Sequence, residues 1–199
     1  MRLYWRMPTT TPALRPQDLT ETAFAPYGWM LGKPLPAGDD VPRFSNPATD
    51  FWQEHVFDTG AGAGRETEVL WVNYRISQPG FDTLEKHLLT QQAIVPLTGA
   101  IVQIVARSAF DGSPDLASLA AFVVPPGQGI CMRPGCWHAT RISGGEVTCL
   151  MLTRRSTTLD LVRHLHGEPA RESEIVAIVP HGLDLPARPT AEGPAPHGR

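Results

Sequence analysis

Glu85 and His87 are separated by one residue, Lys86, within the stretch from Gly80 to Gly99. In a β-strand such a pair points to one face while the residue between them points to the other. A carboxylate and an imidazole converging on one face supply two of the donors that a metal site requires. Gln92 follows five residues after His87, and an irregular step or bulge is needed to bring its amide oxygen to the same face. A second histidine, His138, stands just after Pro134-Gly135, where a strand returns from a turn. Taken alone, Glu85 and His87 fit equally well an exposed strand edge, ion-paired to Lys86 or a neighbour.

Other chemistry-bearing residues read more plainly. His55, His164, His166, His181 and His197 lack such partners and are expected at the surface or at helix ends. Gly60, Gly62 and Gly64 alternate with alanine, but without a flanking strand and helix or a lysine they suggest a flexible loop and not a phosphate cradle. Cys131, Cys136 and Cys149 read as small buried hydrophobes. Cys136 is also placed so that it and His138 could reach one ion. Trp137, next to an inward-facing histidine, is expected to pack outward.

The elements that must position these residues are short strands. Val69–Arg75, Ala93–Pro96, Ala100–Arg107, Leu119–Val124, Gly129–Met132 and Val147–Thr153 are rich in Val and Ile and are separated by turns. The spacing, without helix-length patterns between them, predicts an antiparallel sandwich or barrel. Short helices are expected at Pro16–Tyr27, at Pro114–Ala120 and at Leu159–Leu165, where Leu159, Val162 and Leu165 fall at helical spacing. Residues from Lys33 to Asp50 read as an irregular excursion. The chain beyond Pro180 reads as a mobile tail. These boundaries give an N-terminal segment 1–15, a single domain 16–179 and a tail 180–199.

The chain has 199 residues, 42% hydrophobic, with 17 basic against 20 acidic side chains and a net charge of −3. That is enough for one domain with its own core, and it offers no basic stripe for nucleic acid or anionic membranes. Three clustered cysteines give no secreted disulfide framework. With no apolar run of signal-peptide or membrane-spanning length, a cytoplasmic protein is expected.

The pattern resembles the cupin fingerprint. Glu85, His87 and Gln92 take the places of the two histidines and the glutamate of the first cupin motif, Gly99 follows at the motif's spacing, and His138 takes the place of the histidine in the second. With that spacing the metal-site reading outweighs the strand-edge one. The variant is similar to the ureidoglycolate lyase family. Supporting residues are Phe24, Tyr27 and Gly28; Arg75; Leu84-Glu85-Lys86-His87; Gln92-Ala93 with Pro96; Pro114-Asp115-Leu116 with Leu119, Ala121 and Phe122; Gly127-Gln128-Gly129; and Trp137-His138. The resemblance spans residues 17 to about 155.

It implies a mainly β protein, a cupin-type antiparallel β-barrel (double-stranded β-helix) with a few short helices. It also implies a homodimer that splits the small molecule ureidoglycolate into glyoxylate and urea in purine nitrogen catabolism. The implied metal ligands are Glu85, His87, Gln92 and His138, a mixed N/O shell suited to a divalent ion such as Ni, Mn, Co, Zn or Fe. The implied catalytic set is Glu85, Arg75 and His138, with Arg75 as the fork for the substrate carboxylate and Glu85 as either ligand or base. The chain departs from the family at Cys131-Met132, at Ala139-Thr140-Arg141, at Thr153 and around Asn46. These changes leave the metal set intact and alter the pocket wall. Two other readings therefore remain open: a cupin enzyme acting on another small α-hydroxy amide or carboxylic acid, and a cupin that binds a ligand without turnover.

Overall fold

The computed structural model describes residues 13–37 and 40–185. The segment carrying Tyr4 and Trp5, and the tail that includes His197, lie outside the described residues. Two sheets face each other. The larger runs in the order β1 (Gln17–Asp18), β9 (Pro114–Val124), β8 (Ile101–Ser108), β11 (Trp137–Arg141), β6 (Gly80–His87) and β13 (Ser173–Gly182). The smaller runs β2 (Gly28–Leu31), β10 (Gly129–Met132), β7 (Gln92–Pro96), β12 (Val147–Arg154) and β5 (Thr67–Tyr74). A separate hairpin joins β3 (Arg43–Ser45) to β4 (Asp50–Trp52). All pairings within the two sheets are antiparallel except that of β1 with β9. This is the mainly β, cupin-type barrel that the resemblance implied.

Alternation of side chains places the core between the sheets. On β5, Leu70, Val72 and Tyr74 turn inward, while Val69 and Trp71 face out and are exposed. On β12, Val147, Cys149 and Met151 turn inward. β8 is buried on both faces from Ile101 to Ala106, which is why it reads as an apolar run broken only by Gln103. Its inner face joins the barrel core with Phe24, Phe122 and Ile130, and its outer face joins a second cluster with Leu84, Trp137 and Leu183. Trp137 does pack outward, fully buried, and donates its indole N–H to the Gly112 carbonyl at 3.2 Å. Lys86, on the same face, reaches Gly112 O at 2.7 Å and Glu174 at 3.0 Å. A buried lysine is tolerated there because both charge and donors are answered.

Several local expectations give way to tertiary contacts. Pro114–Ala120 is strand and not helix: the alanines and leucines of β9 have helical propensity, but pairing along β8 overrides it. The first helix shrinks to α1 (Glu21–Phe24), capped by the Thr20 hydroxyl on the Ala23 N–H, and Gln17–Asp18 pairs with β9 instead. The later helix, α2 (Arg155–Leu165), is present but packs through Thr157 and Asp160, leaving Leu159, Val162 and Leu165 exposed. β13 lacks a clean period along the chain; it runs on to Gly182, past the expected start of the tail, and the buried Leu183 bridges to Leu14. Gly28 is required by close approach, since a β-carbon there would run into the Cys131 carbonyl of β10.

The glycine loop is not free. Gly60, Gly62 and Gly64 all adopt positive φ, of 70°, 95° and 73°. This conformation turns the carbonyls of Thr59, Ala61 and Ala63 onto the buried Arg154 guanidinium at 2.7–2.8 Å. Arg154 Nε also donates to Ser156 Oγ at 2.6 Å. The loop is therefore a clamp around a buried cation, built at the end of the barrel where β12 leaves and β5 enters.

Candidate metal centre

β6 and β11 lie side by side with Glu85 and His138 as register partners. His87 stands two residues farther along β6, where alternation returns it to the same face. The ligand atoms of Glu85, His87 and His138 all lie within 4.8 Å of one another. Gln92 arrives from the opposite sheet: the turn after β6 delivers it as the first residue of β7, and its Nε2 sits 3.0 Å from His87 Nε2. The four residues expected as ligands are therefore brought together, three on one sheet and one on the other. The irregular step expected before Gln92 is the crossing between sheets.

Each imidazole is held from behind. His138 Nδ1 lies 3.0 Å from the Cys136 carbonyl, so Nδ1–H donates there and Nε2 carries a lone pair toward the centre. His87 Nδ1 lies 3.1 Å from Ser173 Oγ on β13, and its Nε2 accepts from the Gln92 amide. Burial first, and then the nearby His138, push the His87 pKa down to about 4, with Glu85 opposing. His87 is therefore neutral near pH 7, the state a metal ligand needs. For Glu85, burial works to raise the pKa, but contact with His138 and the field of His138 and His87 outweigh it, and the net shift is downward. Its side chain is 34% exposed, against 4% for His138, so the centre opens to solvent on the Glu85 side. α2 anchors the strand behind His87, because Asp160 accepts from the N–H of Glu172, the residue before Ser173, at 2.8 Å.

The donors fit a divalent cation. His138 Nε2 is buried without a hydrogen-bond partner, 3.4 Å from Glu85 Oε1, and Gln92 Oε1 is also buried and unpartnered. Half a turn of the Gln92 amide exchanges its nitrogen and oxygen, so the group that now donates to His87 can present an oxygen instead. Two imidazole nitrogens, a carboxylate and an amide oxygen form the mixed shell expected for first-row divalent metals.

Arg75 is not brought to the centre. It follows β5 at the opposite end of the barrel, where Tyr74 pairs with Val147; it is 67% exposed and forms an ion pair with Glu146. The reason is strand length: eight residues of β5 separate the Arg75 end from Thr67, which pairs with Arg154 near the site. Arg75→Ala is accordingly expected to keep kcat/KM within about threefold of the unmodified protein, since exposed ion pairs contribute little. A fall beyond about tenfold in steady-state assays would place Arg75 in the reaction after all. Cys136 also stays out of the donor set. Its Sγ is directed at the Ala106 and Trp137 carbonyls, and burial raises its thiol to about 12.

Ser173, Glu68 and the wall residue Thr140 complete the surroundings. Ser173 holds His87, and Thr140 donates to Gln103 Oε1 at 3.0 Å on the interior wall beyond His138. Glu68 also points inward on β5. An acidic residue on the face shared by Leu70, Val72 and Tyr74 was the signal that could have found it.

A barrel of this topology, in which Glu85, His87 and His138 lie close enough together to hold a metal ion, is of the cupin class. The ureidoglycolate lyase family profile matches residues 11–171. The chain belongs to the ureidoglycolate lyase family, a family of lyase enzymes acting on a small molecule. It is 30% identical over 140 residues to a ureidoglycolate lyase of Burkholderia mallei (strain NCTC 10229), covering 70% of this chain and 80% of the relative. It is 25% identical over 177 residues to that of Chelativorans sp. (strain BNC1), covering 86% and 96%. The ureidoglycolate lyase of Schizosaccharomyces pombe is 26% identical over 152 residues, covering 67% and 80%.

Proposed function

We propose that this chain is a metal-dependent ureidoglycolate lyase that splits ureidoglycolate into glyoxylate and urea. The observation that carries the reading is the convergence of Glu85, His87 and His138, with Gln92 facing them, inside a barrel of this family. Ureidoglycolate is a carbinolamide. The electron pair of its O–H bond becomes the carbonyl of glyoxylate, the C–N bond breaks, and the urea nitrogen takes up a proton. A divalent ion held by Glu85, His87, Gln92 and His138 would lower the pKa of the substrate hydroxyl and draw its acid end into place. Glu85 is the most exposed of the four, which suits a carboxylate that meets the substrate hydroxyl and accepts its proton. His138, fixed by the Cys136 carbonyl, would present its Nε2 lone pair to the same ion beside Glu85.

The test is glyoxylate release by purified protein loaded with Mn, Co, Ni, Zn or Fe in turn, beside a chelated sample. Release that falls by at least about 100-fold on chelation, and returns with metal, supports the reading. Release unaffected by chelation would remove the metal from it.

A homodimer in the cytoplasm completes the proposal. Support for the dimer comes from Val69 and Trp71 on the edge strand β5, the latter 68% exposed, and from the apolar stripe Leu159, Val162 and Leu165 on α2. Cys131, Cys136 and Cys149 are free and buried, as suits a reducing compartment. No described helix is long and apolar enough to cross a membrane. Light scattering is expected to give twice the chain mass, and Trp71→Glu to shift it toward the monomer. A monomer for the unmodified protein would end the dimer proposal.

A further inference from the structure

Four buried side-chain atoms among the described residues have no hydrogen-bond partner: Glu68 Oε2, Gln92 Oε1, His138 Nε2 and Thr153 Oγ1. The metal centre accounts for those on Gln92 and His138. It does not account for Glu68 and Thr153. Buried polar atoms are nearly always paired, so an exception calls for an occupant.

Glu68 and Thr153 are register partners on β5 and β12. Both face the barrel interior, because Leu70 and Val72 on one strand, and Cys149 and Met151 on the other, share their parity and belong to the interior core. Thr153 follows Leu152, whose partner across the next strand is Ala93, the neighbour of Gln92. Gln92, Thr153 and Glu68 thus form a lateral row across β7, β12 and β5 at the level of the metal centre. Two strand spacings of about 4.8 Å set the backbone of Glu68 roughly 10 Å from that of Gln92. Glu68 is not part of the donor cluster, which consists of Glu85, His87 and His138. It faces the same interior from the far side.

An ionised carboxylate only accepts hydrogen bonds, and a hydroxyl beside it can accept one more. The group that completes such a pair is rich in N–H. A ureido group presents two roughly parallel N–H donors, which match the two oxygens of a carboxylate as a guanidinium does. A second carboxylate in the same place would be repelled.

We propose that Glu68, assisted by Thr153, binds the ureido nitrogens of the substrate and sets specificity for the nitrogen end, while the hydroxy-acid end faces Glu85, His87, Gln92 and His138. The proposal deepens the lyase reading and rests on it. It narrows the substrate class to hydroxy acids that carry N–H donors about one small molecule's length from the acid end. It also gives Glu68 a grip on the departing urea.

The test separates the two ends of the substrate without requiring turnover. N-carbamoylglycine carries the ureido group and lacks the hydroxyl; glycolate carries the hydroxyl and lacks the ureido group. Each is titrated calorimetrically into metal-loaded protein. Glu68→Ala is expected to weaken N-carbamoylglycine by roughly 100-fold and Thr153→Val by about fivefold, while glycolate stays within about twofold. Glu68→Gln, which keeps the shape of the wall should the alanine variant fold poorly, is expected to lose about tenfold. Metal content should be unchanged in all three. Unaltered N-carbamoylglycine binding in both Glu68 variants, equal loss of both ligands, loss of metal with Glu68, or no binding of N-carbamoylglycine to the unmodified protein would each overturn the proposal. Selective loss in the variants, from a protein that releases no glyoxylate, would refute the lyase reading and leave the role of Glu68 standing.

Discussion

Alanine at His87 is expected to empty the metal centre. Protein loaded with excess Co or Mn and then desalted should fall from about one bound equivalent to below about a tenth, and kcat/KM should drop by about 1000-fold or more. His87 ties the two sheets together at the site: its Nε2 meets Gln92 from β7, while its Nδ1 meets Ser173 on β13. Removing the ring leaves Glu85 and His138 as a two-donor fragment with Gln92 unanchored. The fold should survive, because Leu84 and Trp137 on the outer face and Ile94 and Met151 within the barrel remain packed. A circular dichroism spectrum like that of the unmodified protein would confirm this. Metal retained at the unmodified level in a folded His87→Ala protein would show that the ion sits elsewhere. His138→Ala should behave alike, since it removes the second imidazole nitrogen from the donor set.

The second large effect is on stability. Arg154→Met should cost about 3–4 kcal/mol, because it strands three backbone carbonyls that now share one buried guanidinium and removes the bond from its Nε to Ser156 Oγ. In a chain of this size that corresponds to a fall of roughly 10 °C in Tm. Hydrogen exchange should localise the change to residues 59–63, whose carbonyls at Thr59, Ala61 and Ala63 lose their donor. The same clamp borders the site, since Gln91 joins the loop through the Asp58 N–H at 3.0 Å and stands beside Gln92. KM should therefore rise along with the loss of stability. A Tm within about 2 °C of the unmodified protein would mean that the carbonyls are satisfied by water and that Arg154 is dispensable.

These two effects differ in how far they could be foreseen. The Glu85–His87 step is a local statement, because strand alternation alone puts both side chains on one face. His138 after a Pro-Gly turn is local as well. The clamp is not local. Gly60, Gly62 and Gly64 suggest freedom when read along the chain, and their function depends on a cation about ninety residues away in sequence, as the separation of Thr59 from Arg154 shows. Arg75 shows the converse. Its place on the strand leading toward the motif suggested nearness, but β5 and β6 are in different sheets. β5 also carries Arg75 away from the end where His87 and Gln92 meet.

By itself the sequence determined the strand-rich class of the fold, most of the central strands, the outward packing of Trp137 and the placing of Glu85 and His87 on one face. Each of these follows from the period of side chains along one short segment, or from spacing within one motif. Tertiary structure alone decided that Pro114–Ala120 extends as a strand and that Gln92 faces His87 from the other sheet. It also decided that Glu68 and Thr153 line up with Gln92 in one row. Register between strands distant in the chain is set by the packing of the whole barrel, and no local pattern of residues encodes which strand will lie beside which.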